Sequence, residues 1–107
     1  MALFQTATAK IEQRGEPRDE VHHRSRGFGA DGRALQLTVV NISARGLMAR
    51  CSAPVVEGER VRVQLPVVGW TNAQVRWALG GRFGCELDAA IPLSTYMLML
   101  AAMVQQS

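Results

Sequence analysis

Apolar and polar residues alternate one by one in five short runs of this chain. Leu35, Leu37 and Val39 alternate with Gln36 and Thr38, and Leu47, Ala49 and Cys51 with Met48 and Arg50. Val61, Val63 and Leu65 alternate with Arg60, Arg62 and Gln64, and Ala73, Val75, Trp77 and Leu79 with Asn72, Gln74 and Arg76. Phe83, Cys85 and Leu87 alternate with Arg82 and Glu86. A period of two sends successive side chains to opposite faces, so each run reads as a half-buried antiparallel strand. Asp31-Gly32, Gly46, Glu57-Gly58 and the Gly80-Gly81 pair supply the turns between them. A weaker strand covers about Val21 to Phe28. Five or six strands at this spacing indicate a small barrel or sandwich. Closure hides the edges that would otherwise pair with other chains. The expected fold is all-β, a small six-stranded antiparallel barrel.

The end of the chain has a different period. Pro92 can open a helix, and Leu93, Tyr96, Met97, Leu100 and Val104 recur at helical spacing, with Met99 and Met103 widening the apolar face. About fourteen residues make roughly 21 Å of helix, too short to span a bilayer. Such a helix either closes one end of the barrel or offers a surface to a protein partner or a second copy. At the other end, Lys10, Glu12, Arg14, Glu16, Arg18, Asp19 and Glu20 crowd a stretch broken by Gly15 and Pro17. The expected organisation is an arm over residues 1–20, a barrel over 21–90 and a helix over 91–107. With 107 residues, one core is all the chain can build.

A hydrophobic fraction of 48% and a charged fraction of 20% are those of a folded domain. No apolar run is long enough for a membrane span, and no secretory signal opens the chain, so a cytoplasmic protein is expected. The formal net charge is +3, and eleven of the twelve basic residues are arginine. Genome composition accounts for such a bias as readily as guanidinium chemistry does. The guanidinium fork nonetheless matches phosphate and the guanine edge, which lysine cannot imitate. Cys51 and Cys85 read as reduced, buried thiols. His22 and His23 are adjacent and would face opposite ways on a strand, so no metal site is expected. Gly27 to Gly32 satisfies a G-x-G-x-x-G pattern, but a hairpin turn and a strand follow where a dinucleotide site needs a helix. No nucleophile elbow, P-loop lysine or paired carboxylates stand out. Neither an enzyme nor a bound cofactor is expected.

Two short elements remain. Arg14-Gly15-Glu16-Pro17-Arg18 is an R-x-x-x-R, and Asn41-Ile42-Ser43-Ala44-Arg45-Gly46 fits [D/N]-x-S-x-x-G. Arg18 and Asn41 are separated by one strand, a turn and the next strand. Together with the closing Gly84-Cys85-Glu86-Leu87, this order resembles the PilZ domain, a bacterial receptor for cyclic di-GMP. The resemblance runs from Arg14 to about Asp88. It implies a PilZ-like barrel whose ligand-binding residues are Arg14, Arg18, Asn41, Ser43 and Gly46. It also implies outputs in motility, exopolysaccharide and biofilm control, and makes the residue at Gln13 relevant to whether one ligand or a stacked pair is bound.

The chemistry is coherent on its own terms. Cyclic di-GMP carries two phosphates and two guanines, and an arginine fork matches both phosphate oxygens and the O6/N7 edge of guanine. Asn41 can donate and accept at a base edge, Ser43 adds a hydroxyl, and Gly46 can adopt a left-handed turn. Taken singly, Arg14 and Arg18 also read as solvated charges beside Glu16 and Asp19, and Asn41, Ser43 and Gly46 as ordinary turn formers. Two other readings stand beside the receptor. A degenerate PilZ-like barrel could bind a protein through the Met97–Met103 face without nucleotide. A barrel that binds single-stranded nucleic acid would need several aromatics on one face. Only six occur in the chain, Trp77 and Phe83 read as core, and Trp70, placed in a turn, is tied to no arginine. Nucleic acid is therefore not an expected partner.

Overall fold

The computed structural model describes residues 17–106. Gln13, Arg14 and the remainder of residues 1–16 lie outside the described residues, whereas the last two residues assigned to the arm, Asp19 and Glu20, open the first strand. Six strands follow in order: β1 (Asp19–Phe28), β2 (Ala34–Ile42), β3 (Gly46–Cys51), β4 (Arg60–Leu65), β5 (Gly69–Leu79) and β6 (Arg82–Leu87). One helix, α1 (Leu93–Gln106), completes the described residues. The sheet is a closed antiparallel barrel in the order β1-β2-β3-β6-β5-β4. The last seam, β1 against β4, holds only two residue pairs, Gly27 with Val63 and Phe28 with Arg62.

The alternation dictates the core. Leu35, Leu37, Val39, Leu47, Ala49, Val61, Val63, Leu65, Ala73, Val75, Phe83 and Leu87 all point inward and are buried. Cys51 and Cys85 are buried free thiols, and burial pushes Cys85 up to about 12. Gly80 and Gly81, at φ 62° and 80°, turn β5 into β6, the conformation that a two-residue hairpin needs.

The pattern misplaces the end of β5. Trp77 and Leu79 are expected inside, yet they are 42% and 80% exposed. The pairing slips between Val75, opposite Cys85, and Trp77, opposite Gly84. One extra residue in β5 is a bulge, and it reverses which face every later residue occupies. Ala78 therefore turns toward the core in their place.

The helix is also rotated from its expected face. Tyr96, Met99 and Met103 are buried, whereas Leu93, Met97 and Val104 are exposed. Every residue of α1 is uncharged, so periodicity alone cannot select the buried side. Anchors at the barrel end select it. The single Tyr96 hydroxyl proton is shared between Asp19 Oδ2 at 2.6 Å and the Ile42 carbonyl at 2.9 Å. The Ile91 N–H donates to the Ala44 carbonyl at 2.8 Å. These bonds seat the helix where β1 begins and β2 ends.

Across the barrel, Glu59 fastens the long crossover between β3 and β4. Its carboxylate takes the Arg33 guanidinium at 2.8 Å and the backbone N–H groups of Ala30 and Val56. The Arg33 contact, reinforced by those N–H groups, holds the Glu59 carboxyl down at about 2.

Candidate ligand-binding site

The chain turns sharply between β2 and β3, and this turn builds one wall of a cleft. The Ser43 N–H donates to the Gly46 carbonyl at 2.8 Å. The Ser43 hydroxyl accepts from the Arg45 N–H at 3.2 Å and reaches the Gly46 carbonyl at 3.4 Å. Ser43 is itself buried. Its hydroxyl is committed to the turn and sets the direction of Arg45.

Gly46 is not among the glycines with positive φ, so the expected left-handed turn does not occur there. Its missing side chain serves another purpose. A Cβ at Gly46 would lie 2.5 Å from the Cys85 carbonyl oxygen. Only glycine lets β3 approach β6 this closely at the floor of the cleft.

Arg18 lies just before β1 and reaches across to the end of β2. Its Nη1 donates to Asn41 Oδ1 at 2.8 Å, leaving the remaining N–H groups of the fork for other acceptors. Of the five residues expected at the site, the fold brings Arg18, Asn41, Ser43 and Gly46 together. Arg14 lies outside the described residues.

The cleft has a volume of about 460 Å³ and is lined by Arg18, Ser43, Arg45, Gly46, Arg76, Trp77, Gly84, Cys85 and Glu86. Three guanidinium groups there meet one carboxylate, Glu86, which accepts from Arg76 at 2.6 and 2.9 Å. Among the lining residues, guanidinium groups outnumber carboxylates. Beside it stands the indole of Trp77, turned out by the β5 bulge. A Cβ at Gly84 would lie 2.2 Å from Trp77 Nε1, so the glycine gives the ring its seat across β6. The sequence marks Gly84 through the Gly84-Cys85-Glu86-Leu87 ending but not the tryptophan that depends on it. This bulge carries no glycine to mark it, and strict alternation hides it.

A flat aromatic face, arginine forks and a recessed backbone floor suit a planar, anionic ligand. Among the described residues, no group of histidine, cysteine, aspartate or glutamate could hold a metal ion. No helix among them is long and apolar enough to cross a membrane. Comparison with protein families finds that the model described as PilZ domain matches residues 12–104. No curated protein matches the chain.

Proposed function

Because the chain belongs to the PilZ domain family, a family of cyclic di-GMP receptors, we propose that it binds cyclic di-GMP in the cleft between Trp77 and the β2–β3 turn. Domains of this family bind a ligand rather than catalyse a reaction. The observation that carries the reading is the Arg18–Asn41 hydrogen bond beside this cleft. It joins the two motif elements at the edge of an arginine-lined pocket.

In this reading a guanine stacks on Trp77, and Arg18 turns its free N–H groups to a guanine edge or a phosphate. Arg14 joins it from the arm. Asn41 orients Arg18. Ser43 and Gly46 act through the shape of the turn and floor, and Arg45 approaches from the rim. Ligand binding orders the arm against the barrel and so changes the surface shown to a partner. The reading places the protein in the cytoplasm, with motility and biofilm control as outputs.

The exposed side of α1 supports a partner surface. Leu93, Met97 and Val104, with partly buried Leu100, lie at spacings of four, three and four residues. That is the seam a second helix packs into. Leu98 widens it, at 62% exposed. A second copy or another protein's helix would cover it, and without nucleotide binding this seam alone would make the chain an interaction module.

Calorimetry with cyclic di-GMP, with GMP as control, tests the reading. Heat from the wild type that Arg18→Ala abolishes or weakens is the expected result. No heat at about 100 μM ligand, a concentration that registers micromolar binding, would leave the interaction module in its place.

A further inference from the structure

A second aromatic and arginine cluster occupies the barrel face made by β1, β4 and β5. Trp70 was expected in a turn, tied to no arginine. It lies instead inside β5, opposite Gln64 of β4. The Phe28 and Trp70 rings are 5.5 Å apart, tilted by 30°. The Arg62 guanidinium lies 5.0 Å from the Trp70 ring centre and 6.0 Å from that of Phe28. Trp70 is 41% exposed, so this layer faces solvent. Arg24 and Arg26 continue the outward row of β1 that ends at Phe28.

Among the described residues, no ion pair engages the arginines of this face. The ion pairs among the described residues engage Arg33, Arg60 and Arg76. None engages Arg24, Arg26 or Arg62, and their cross-strand partners, Thr38, Gln36 and Asn72, are neutral. Past Gly27 the β1–β4 seam opens into a cleft of about 480 Å³ whose lining includes Arg24, Arg26 and Gln64. Arg24 and Arg26 stand two residues apart on one strand, about 6.7 Å, which is about one nucleotide step of an extended strand. This cleft and the stacked layer share no residue with the Trp77 cleft.

We propose that this face binds single-stranded nucleic acid without sequence preference. A base stacks on the Trp70–Arg62–Phe28 layer, while phosphates follow Arg26 and Arg24 along the opened seam. An acidic peptide would satisfy the arginines but leave the aromatic layer without a role, so stacking favours nucleic acid. The proposal is independent of cyclic di-GMP binding.

Fluorescence anisotropy of the full chain with labelled oligo-dT and oligo-U tests it. Binding should weaken with salt at a log–log slope of about −1.4, since two phosphate contacts on a single strand, at Arg24 and Arg26, give about −0.7 each. Arg24→Ala and Arg26→Ala should each flatten that slope by about 0.7. Trp70→Ala should weaken binding about 5- to 150-fold, and Trp70→Phe should restore part of it. Cyclic di-GMP should not displace the oligonucleotide. Three results would overturn the proposal: no binding at low salt, displacement by cyclic di-GMP, or equal binding of polyglutamate, which would make the face a dock for acidic proteins. Unchanged affinity in a folded Trp70→Ala would do the same.

Discussion

Arg18 Nη1 donates to Asn41 Oδ1 at 2.8 Å, and the two residues stand 23 positions apart. The bond ties the segment before β1 to the end of β2 and aims one guanidinium along the rim of the Trp77 cleft. Arg18→Ala should weaken cyclic di-GMP binding about 5- to 150-fold, the worth of one bidentate pair to guanine. Arg18→Lys should not rescue it, because an ammonium group cannot form the fork. Calorimetry on the three proteins measures both effects.

Trp77 and Gly84 should behave as a unit. Trp77→Ala removes the stacking face, worth about 1–3 kcal/mol per base. Gly84→Ala should cost a similar amount by pushing the indole off its seat, since the added Cβ would fall 2.2 Å from Nε1. Ligand-induced quenching of tryptophan fluorescence should disappear in both. Quenching that persists in Trp77→Ala would place the ligand elsewhere.

Ser43→Ala should lower the melting temperature even without ligand. From the sequence it reads as an outlying loop residue, but its hydroxyl is buried and holds the Arg45 N–H. Losing a neutral hydrogen bond costs about 0.5–1.5 kcal/mol, and 1 kcal/mol moves a domain of this size by about 4–8 °C. A melting curve indistinguishable from wild type would return the hydroxyl to the ligand.

Acid should release the crossover. The folded Glu59 carboxyl titrates near 2 rather than at its ordinary 4.5. A depressed carboxyl stabilises the fold above its unfolded pKa, and that stability drains away as pH falls from about 4.5 to about 2. Glu59→Gln should therefore be less stable than wild type at neutral pH, with the difference vanishing near pH 2. Denaturant melts across that range would show the two curves converging.

The two faces of α1 should respond oppositely to a charge. Met99 is fully buried, and Met99→Asp should unfold the protein by placing an unpaired carboxylate in the core. Met97 is 56% exposed, so Met97→Asp should leave the melting temperature of the monomer nearly unchanged and reduce self-association or partner binding. Sedimentation and thermal melts separate the two outcomes. Association unaffected by Met97→Asp would remove the helix seam from the reading.

Alternation and turn chemistry made the six strands, most of the core and the glycine hairpin legible before any coordinates. They are local consequences of side-chain period and backbone freedom. The pairing of Arg14-x-x-x-Arg18 with Asn41-x-Ser43-x-x-Gly46 carried the resemblance to the family that the chain belongs to, and that resemblance made these residues candidates for a ligand site. Three features waited for the tertiary structure. The exposure of Trp77 depends on a bulge, which exists only in the register between β5 and β6. The buried face of α1 depends on where Tyr96 meets Asp19 and Ile42, because an uncharged helix with large apolar residues on more than one side does not select its buried face by itself. The Trp70–Arg62–Phe28 layer depends on barrel closure, which sets Phe28 of β1 against Arg62 of β4, 34 positions further along the chain. Local preference reaches only a few neighbours. Register, anchoring and closure are settled by contacts between segments far apart in sequence.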